Sequence, residues 1–160
     1  MNDPSFYELL MLGFLLLFLI PAIFYLITLQ NTLKVIAPEN RMMPPGNVWL
    51  LLIPLFNVVY HFIVTARLAD SIKNECIRLN IPLQEQRPTY NLGITMMIIY
   101  IGSTILNYIF SIVGSIGSIA CMVCWILYWV KVNSYRKLII ANRDNFMLDA
   151  EREMIQHSLP

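Results

Sequence analysis

Charge is what this chain has least of. Asp, Glu, Lys and Arg make up 13% of its 160 residues, against about 25% in an ordinary soluble domain. Eleven basic and ten acidic residues leave a net charge of +1. No arginine-rich stripe breaks that balance, so a nucleic-acid partner is not expected. Cysteine is scarce as well, and three residues do not make a disulfide framework. A Gly-rich phosphate loop, an H-E-x-x-H pair and a nucleophile-elbow serine are all missing. No catalytic residue, resident cofactor or metal set is therefore expected, and the chain is read as non-enzymatic. The first residues carry Asp3 and Glu8 but no Lys or Arg. No small-residue cleavage site follows the first apolar run, so it is expected to stay as a membrane span and not to act as a secretory signal.

What the chain has in quantity is apolar residues, at 58%. They gather in runs near the ~20 residues that a helix needs to cross hydrocarbon. The runs predict spans at about 6–29, 48–66, 92–113 and 118–132 in a single membrane domain. The expected fold class is all-α: an integral membrane four-helix bundle with a long second helix extending into the cytoplasm and an amphipathic C-terminal tail. Pro21 predicts a kink in the first span, since lipid-embedded helices tolerate proline when neighbours satisfy the freed carbonyl. Asn31 to Asn47 reads as a loop, with Asn47 as the cap of the next helix and Trp49 at the headgroup level. No breaker follows Thr65, and Leu68, Ile72, Cys76 and Leu79 recur at helical spacing. The second helix is thus expected to run from the membrane to about Asn80. Gly114 to Ser118 reads as a tight turn. The segments 67–90 and 133–160 are expected in the cytoplasm.

Basic residues set the orientation. Four crossings put Arg67, Lys73, Arg78, Arg87, Lys131, Arg136, Lys137, Arg143 and Arg152 on one side and only Lys34 and Arg41 on the other. The expected arrangement is a multi-pass membrane protein with both termini cytoplasmic.

The polar residues inside the apolar runs are the candidates for function. Asn57, His61 and Thr65 recur at i, i+4 and i+8 on the second span, and Ser103, Asn107 and Ser111 do so on the third. Each trio forms one helix face, and two polar faces on adjacent spans invite each other. Such residues either hydrogen-bond between helices or line a hydrated path in which a histidine carries protons. No carboxylate lies in 48–66 to pair with His61, which favours the hydrogen-bonding reading. Cys121-x-x-Cys124 has the spacing of a redox pair, but no second outward pair accompanies it to relay electrons.

Asn40-Arg41-x-Met43-x-Pro45-Gly46-x-Val48-Trp49-Leu50-x-Leu52-Ile53-Pro54-x-Phe56-Asn57 resembles the signature of a group of small uncharacterised bacterial four-span membrane proteins. Ala69-Asp70-Ser71 and Cys124-Trp125-Ile126-x-Tyr128-Trp129-Val130-Lys131 extend the likeness. The resemblance implies a bacterial cytoplasmic-membrane protein, no activity and no catalytic residue, and it singles out Trp49, Pro54 and Asn57. Two functional readings follow. The first is a scaffold or partner subunit that meets a protein partner, or a second copy of itself, through the cytoplasmic arms. The second is a small transporter or channel component working through the Asn57/His61 and Ser103/Asn107 faces. In both, the lipid bilayer is the constant partner.

Overall fold

The computed structural model describes residues 4–158. It is all-helical, with no strand among the described residues. Helix α1 spans Pro4–Val35 and continues through Pro21. Two short 3₁₀ segments follow at Pro38–Asn40 and Pro45–Leu52. Helix α2 covers Phe56–Arg78, α3 covers Tyr90–Ile109 and α4 covers Ser111–Ser158. Three stretches are long and apolar enough to cross a membrane: Tyr7–Val35, Tyr90–Ile109 and Ser111–Leu148.

The expected second span is not one helix. It is split at Ile53–Leu55, and the cause is local. Pro54 has no N–H to give, and Leu55 takes φ 64°, ψ −47°. The N–H of Phe56 then donates to the carbonyl of Pro54 at 2.7 Å, which closes a γ-turn of the rare positive-φ kind. The donors on either side are also satisfied, Ile53 by Leu50 and Asn57 by Ile53. Asn47 is not a cap either. Pro44 precedes the second 3₁₀ segment without a side-chain hydrogen bond, and Pro45 opens it. The far end of α2 matches the pattern closely: Asn80 sits at φ 54°, and the amides of Asn80 and Ile81 bond back to Ile77 and Cys76. That is a Schellman stop, in which a left-handed residue lets the chain satisfy the last carbonyls.

Between α3 and α4 the break falls on Phe110 alone, and Gly114 to Ser118 is helical, not a turn. Those glycines serve packing. A Cβ on Gly114 would lie 2.5 Å from the Asn107 backbone, and one on Gly117 2.7 Å from Ser103 Cβ. The two helices therefore form a close antiparallel hairpin. Past the hairpin α4 does not stop near Val132. Its 48 residues make a rod of roughly 72 Å at 1.5 Å per residue, so the expected separate tail is its continuation.

Burial is concentrated at one end. Leu29, Leu33, Ile36, Val48, Leu68, Ile72, Tyr128, Val132 and Ile139 are buried, whereas Leu9, Phe18, Leu55, Tyr108, Ile112 and Ile116 are exposed. Exposed apolar area on that scale belongs in lipid. The buried end is also the charged end. Asn40 donates to Glu75 at 2.8 Å, and the amide of Met42 donates to Ser71 at 2.8 Å. Arg87 grips Asp70 with two bonds of 2.6 and 2.8 Å and stacks on Tyr90. Lys131 pairs with Glu85.

The contacts of Asn40 and Met42 have a topological consequence. The loop after α1 touches the outer half of α2, so the two lie at the same end of the molecule. The chain therefore runs away from this contact along 45–52, turns at Pro54 and returns to it along α2.

Candidate functional site

The returning element has a polar side. From Phe56 to Arg67 it offers Asn57 and His61, and that side faces a cleft of about 540 Å³. The walls are Phe18 of α1, Asn57, Val58 and His61 of α2, Met96 to Thr104 of α3, and Ser118 to Trp125 of α4. The returning element and the α3–α4 hairpin pack closely at one end of this cleft. There Gly93 lets Thr65 and Tyr128 approach the α3 backbone.

His61 is held from α1. Its Nε2 lies 3.0 Å from the hydroxyl of Tyr25. Tyr25 is itself fixed by rings at 5.4 Å (Trp125), 6.2 Å (Trp129) and 6.3 Å (Tyr128). Trp129 in turn donates to Thr28 at 2.8 Å. A neutral imidazole accepting from Tyr25 at Nε2 keeps its own proton on Nδ1, and Nδ1 has no protein partner among the described residues.

The other polar groups of the cleft are already half engaged. Ser103 and Thr104 both donate to the carbonyl of Tyr100, at 3.0 and 2.8 Å. Ser118 donates to Gly114 at 3.0 Å. Cys121 contributes a weak contact from Sγ to the carbonyl of Met96 at 3.7 Å. The side-chain amide of Asn57 makes no hydrogen bond to the described residues. No Asp, Glu, Lys or Arg lines the cleft. Among the described residues no group of three metal-ligating side chains forms.

Of the six residues expected on facing polar stripes, the structure brings three into one cleft: Asn57, His61 and Ser103. The other three are elsewhere. Thr65 is buried beside Gly93 and Tyr128. Asn107 packs on Gly114. Ser111 is not on the third helix at all, because Phe110 ends α3 and Ser111 begins α4. Nor does His61 bond to the third span; its partner is Tyr25. The signal for Tyr25 was a phenol within an apolar run, four residues after Pro21.

The motif residues have structural posts. Arg41 bonds the carbonyl of Lys34 in the last turn of α1 at 3.1 Å and that of Ile36, just past its end, at 2.8 Å, which is how a cation closes a helix C-terminus. Asn40 reaches Glu75. Pro45 and Gly46 open the second 3₁₀ segment. Trp49 donates to Gln30 of α1 at 3.3 Å, so it ties the ingoing segment to α1. Pro54 makes the turn, and Asn57 alone of the motif reaches the cleft.

Comparison of this chain with protein-family models, curated proteins and solved structures finds no match.

Proposed function

We propose that this is a three-crossing membrane protein with a half-inserted fourth element, and that it works as a non-catalytic binding component for a lipid-soluble molecule. The observation that carries this is the cleft at His61. A packed bundle would favour the scaffold reading; an open cleft lined by Asn57, His61 and Ser103 favours the transporter or channel component.

The proposed threading rests on charge as well as contacts. Phe56 to Arg67 at 1.5 Å per residue reaches roughly 16 Å, about half of a ~30 Å hydrocarbon core. If α1, α3 and α4 cross and the 45–78 segment enters and returns, all eleven basic residues fall on one side. None falls on the other, where Glu8 and the Phe110 turn lie. That distribution is more one-sided than the nine against two of a four-crossing chain. By the positive-inside rule the charged end is cytoplasmic, and the beginning of α1 is on the opposite side from the end of α4. A bacterial inner membrane is the proposed location.

A partner-subunit role has its own support in the far part of α4. Met147, Leu148, Met154 and Ile155 are exposed there, beyond the last buried core residue, Ile139.

Native mass spectrometry of the protein released from nanodiscs tests the binding reading. The wild type is expected to carry a small-molecule adduct, and the Thr104→Phe/Met122→Trp double variant, which fills the cleft from its exposed wall, is expected to lose it. Wild-type protein with no more adduct than the filled variant refutes the reading.

A further inference from the structure

We infer that the cleft takes an uncharged lipid with a free hydroxyl head, such as a long-chain alcohol or a diacylglycerol, and leaves the tail in the bilayer. This rests on the binding reading above and specifies its ligand. The juxtaposition behind it is a wall of donors on α2 facing a wall of acceptors on α3 and α4.

Charge comes first. No ionised side chain lines the cleft. A phosphate, carboxylate or ammonium head drawn into it would be desolvated without a partner, at a cost far above that of burying a hydroxyl that finds a hydrogen bond. The charged residues nearest in sequence on α2 begin at Arg67, six residues past His61, and Arg87 and Asp70 are engaged with each other. Charged phospholipid heads and ions are therefore poor occupants.

Hydrogen-bond sense narrows the class further. Ser103, Thr104 and Ser118 have committed their protons to backbone carbonyls of their own helices. What each still presents is a lone pair, so α3 and α4 offer acceptors. Across the cleft, Asn57 has a free amide, and His61, when accepting from Tyr25, has a free Nδ1 proton. The α2 wall thus offers two donor groups, with the Asn57 carbonyl oxygen as an acceptor beside them. A head that only accepts, such as an ether or ketone, satisfies α2 and leaves α3 and α4 unmet. A hydroxyl donates to one wall and accepts from the other.

The remaining surface suits a chain. Met96, Met97 and Met122 line the cleft, and unbranched thioethers adapt to an irregular apolar shape. A volume of about 540 Å³ lies within the ~300–1,000 Å³ of small-molecule sites. That is room for a head and the first part of a chain, and the exposed rim at Ile119 and Met122 leads to lipid.

Four photoactivatable probes with one common alkyl tail test this in nanodiscs: the alcohol, its methyl ether, the carboxylic acid and the phosphate. The alcohol is expected to label peptides of α2, α3 and α4 around the cleft. The ether is expected to label about tenfold less, the weight of one buried hydrogen bond left unmade. The acid and phosphate are expected to give only background. Asn57→Leu, checked for folding by circular dichroism, is expected to reduce alcohol labelling, while Asn57→Gln keeps most of it. Equal labelling by alcohol and ether, or stronger labelling by acid or phosphate, overturns the hydroxyl assignment and leaves the cleft as a binding site. If no probe labels the cleft above the Thr104→Phe/Met122→Trp variant, the binding reading falls with it.

Discussion

Glu75 is the residue whose loss should be felt most. Its side chain is fully buried, and it accepts from Arg78 at 2.6 and 3.2 Å, from Asn40 at 2.8 Å and from the backbone amide of Ala37. Those bonds fasten the loop after α1 to the outer half of α2. Glu75→Ala leaves three donors without their acceptor. The Arg78 side chain is 29% exposed, so it turns to water at little cost. The Asn40 amide and the Ala37 N–H are not so free. At ~1–3 kcal/mol for each buried group left unpaired, the two together come to about 2–6 kcal/mol, a range that spans the ~3–5 kcal/mol of a broken buried ion pair. Glu75→Gln keeps an acceptor and the shape, and should cost about half as much. Acid should act in the same direction. Burial alone would raise the Glu75 pKa, but hydrogen bonds from Arg78, Asn40 and Ala37 together outweigh it, and the net shift is downward from 4.5. A carboxylate lowered on folding contributes stability that is fully present above its unfolded pKa and is lost as pH falls through the folded one. Wild-type melting in detergent should therefore decline below about pH 4.5 more steeply than that of Glu75→Gln. Hydrogen exchange at residues 37–43 should rise in Glu75→Ala before the rest of the protein responds. A Glu75→Ala protein that melts with the wild type would refute the clamp, and with it the contact that puts loop and helix end on one side.

Three further outcomes are expected. In a background free of Cys76, Cys121 and Cys124, impermeant thiol reagent applied to intact cells should leave Glu39→Cys, Gln86→Cys and Asn145→Cys unlabelled and should react at Ser111→Cys; labelling at position 39 but not at 86 would restore a crossing between them. Leu55→Gly should raise the melting temperature, since positive φ strains a leucine by about 1–3 kcal/mol and this side chain is 90% exposed; a drop of about 1 kcal/mol, the usual cost of glycine inside a helix, would mean that α2 runs unbroken through Pro54. Tyr25→Phe and His61→Leu should each cost about 1–2 kcal/mol by leaving a hydrogen-bonding partner unmet, with the double variant costing less than the sum; strict additivity would show that the two groups do not pair.

Much of this protein is legible in its composition. The all-helical class follows from long apolar runs. The end of α2 was readable from Asn80 after a periodic Leu68–Ile72–Cys76–Leu79 stripe, because a Schellman stop is a local device. The polar residues Asn57, His61 and Ser103 were identifiable because their cost in lipid is a property of the residue itself. Partnership was not legible. Spacing puts Asn107 and Ser111 on the same face as Ser103, yet Phe110 ends the helix between them, and periodicity carries no record of a one-residue break. Nor does hydropathy distinguish an apolar run that crosses from one that enters and returns. Residues 48–66 suit both, and a proline in an apolar run reads as a kink. The proposed return rests on pairs far apart in the chain. Asn40 meets Glu75, Met42 meets Ser71 and Tyr25 meets His61 only when the fold brings their helices together. The direction of the second element is therefore a property of tertiary contacts that no window along the sequence contains.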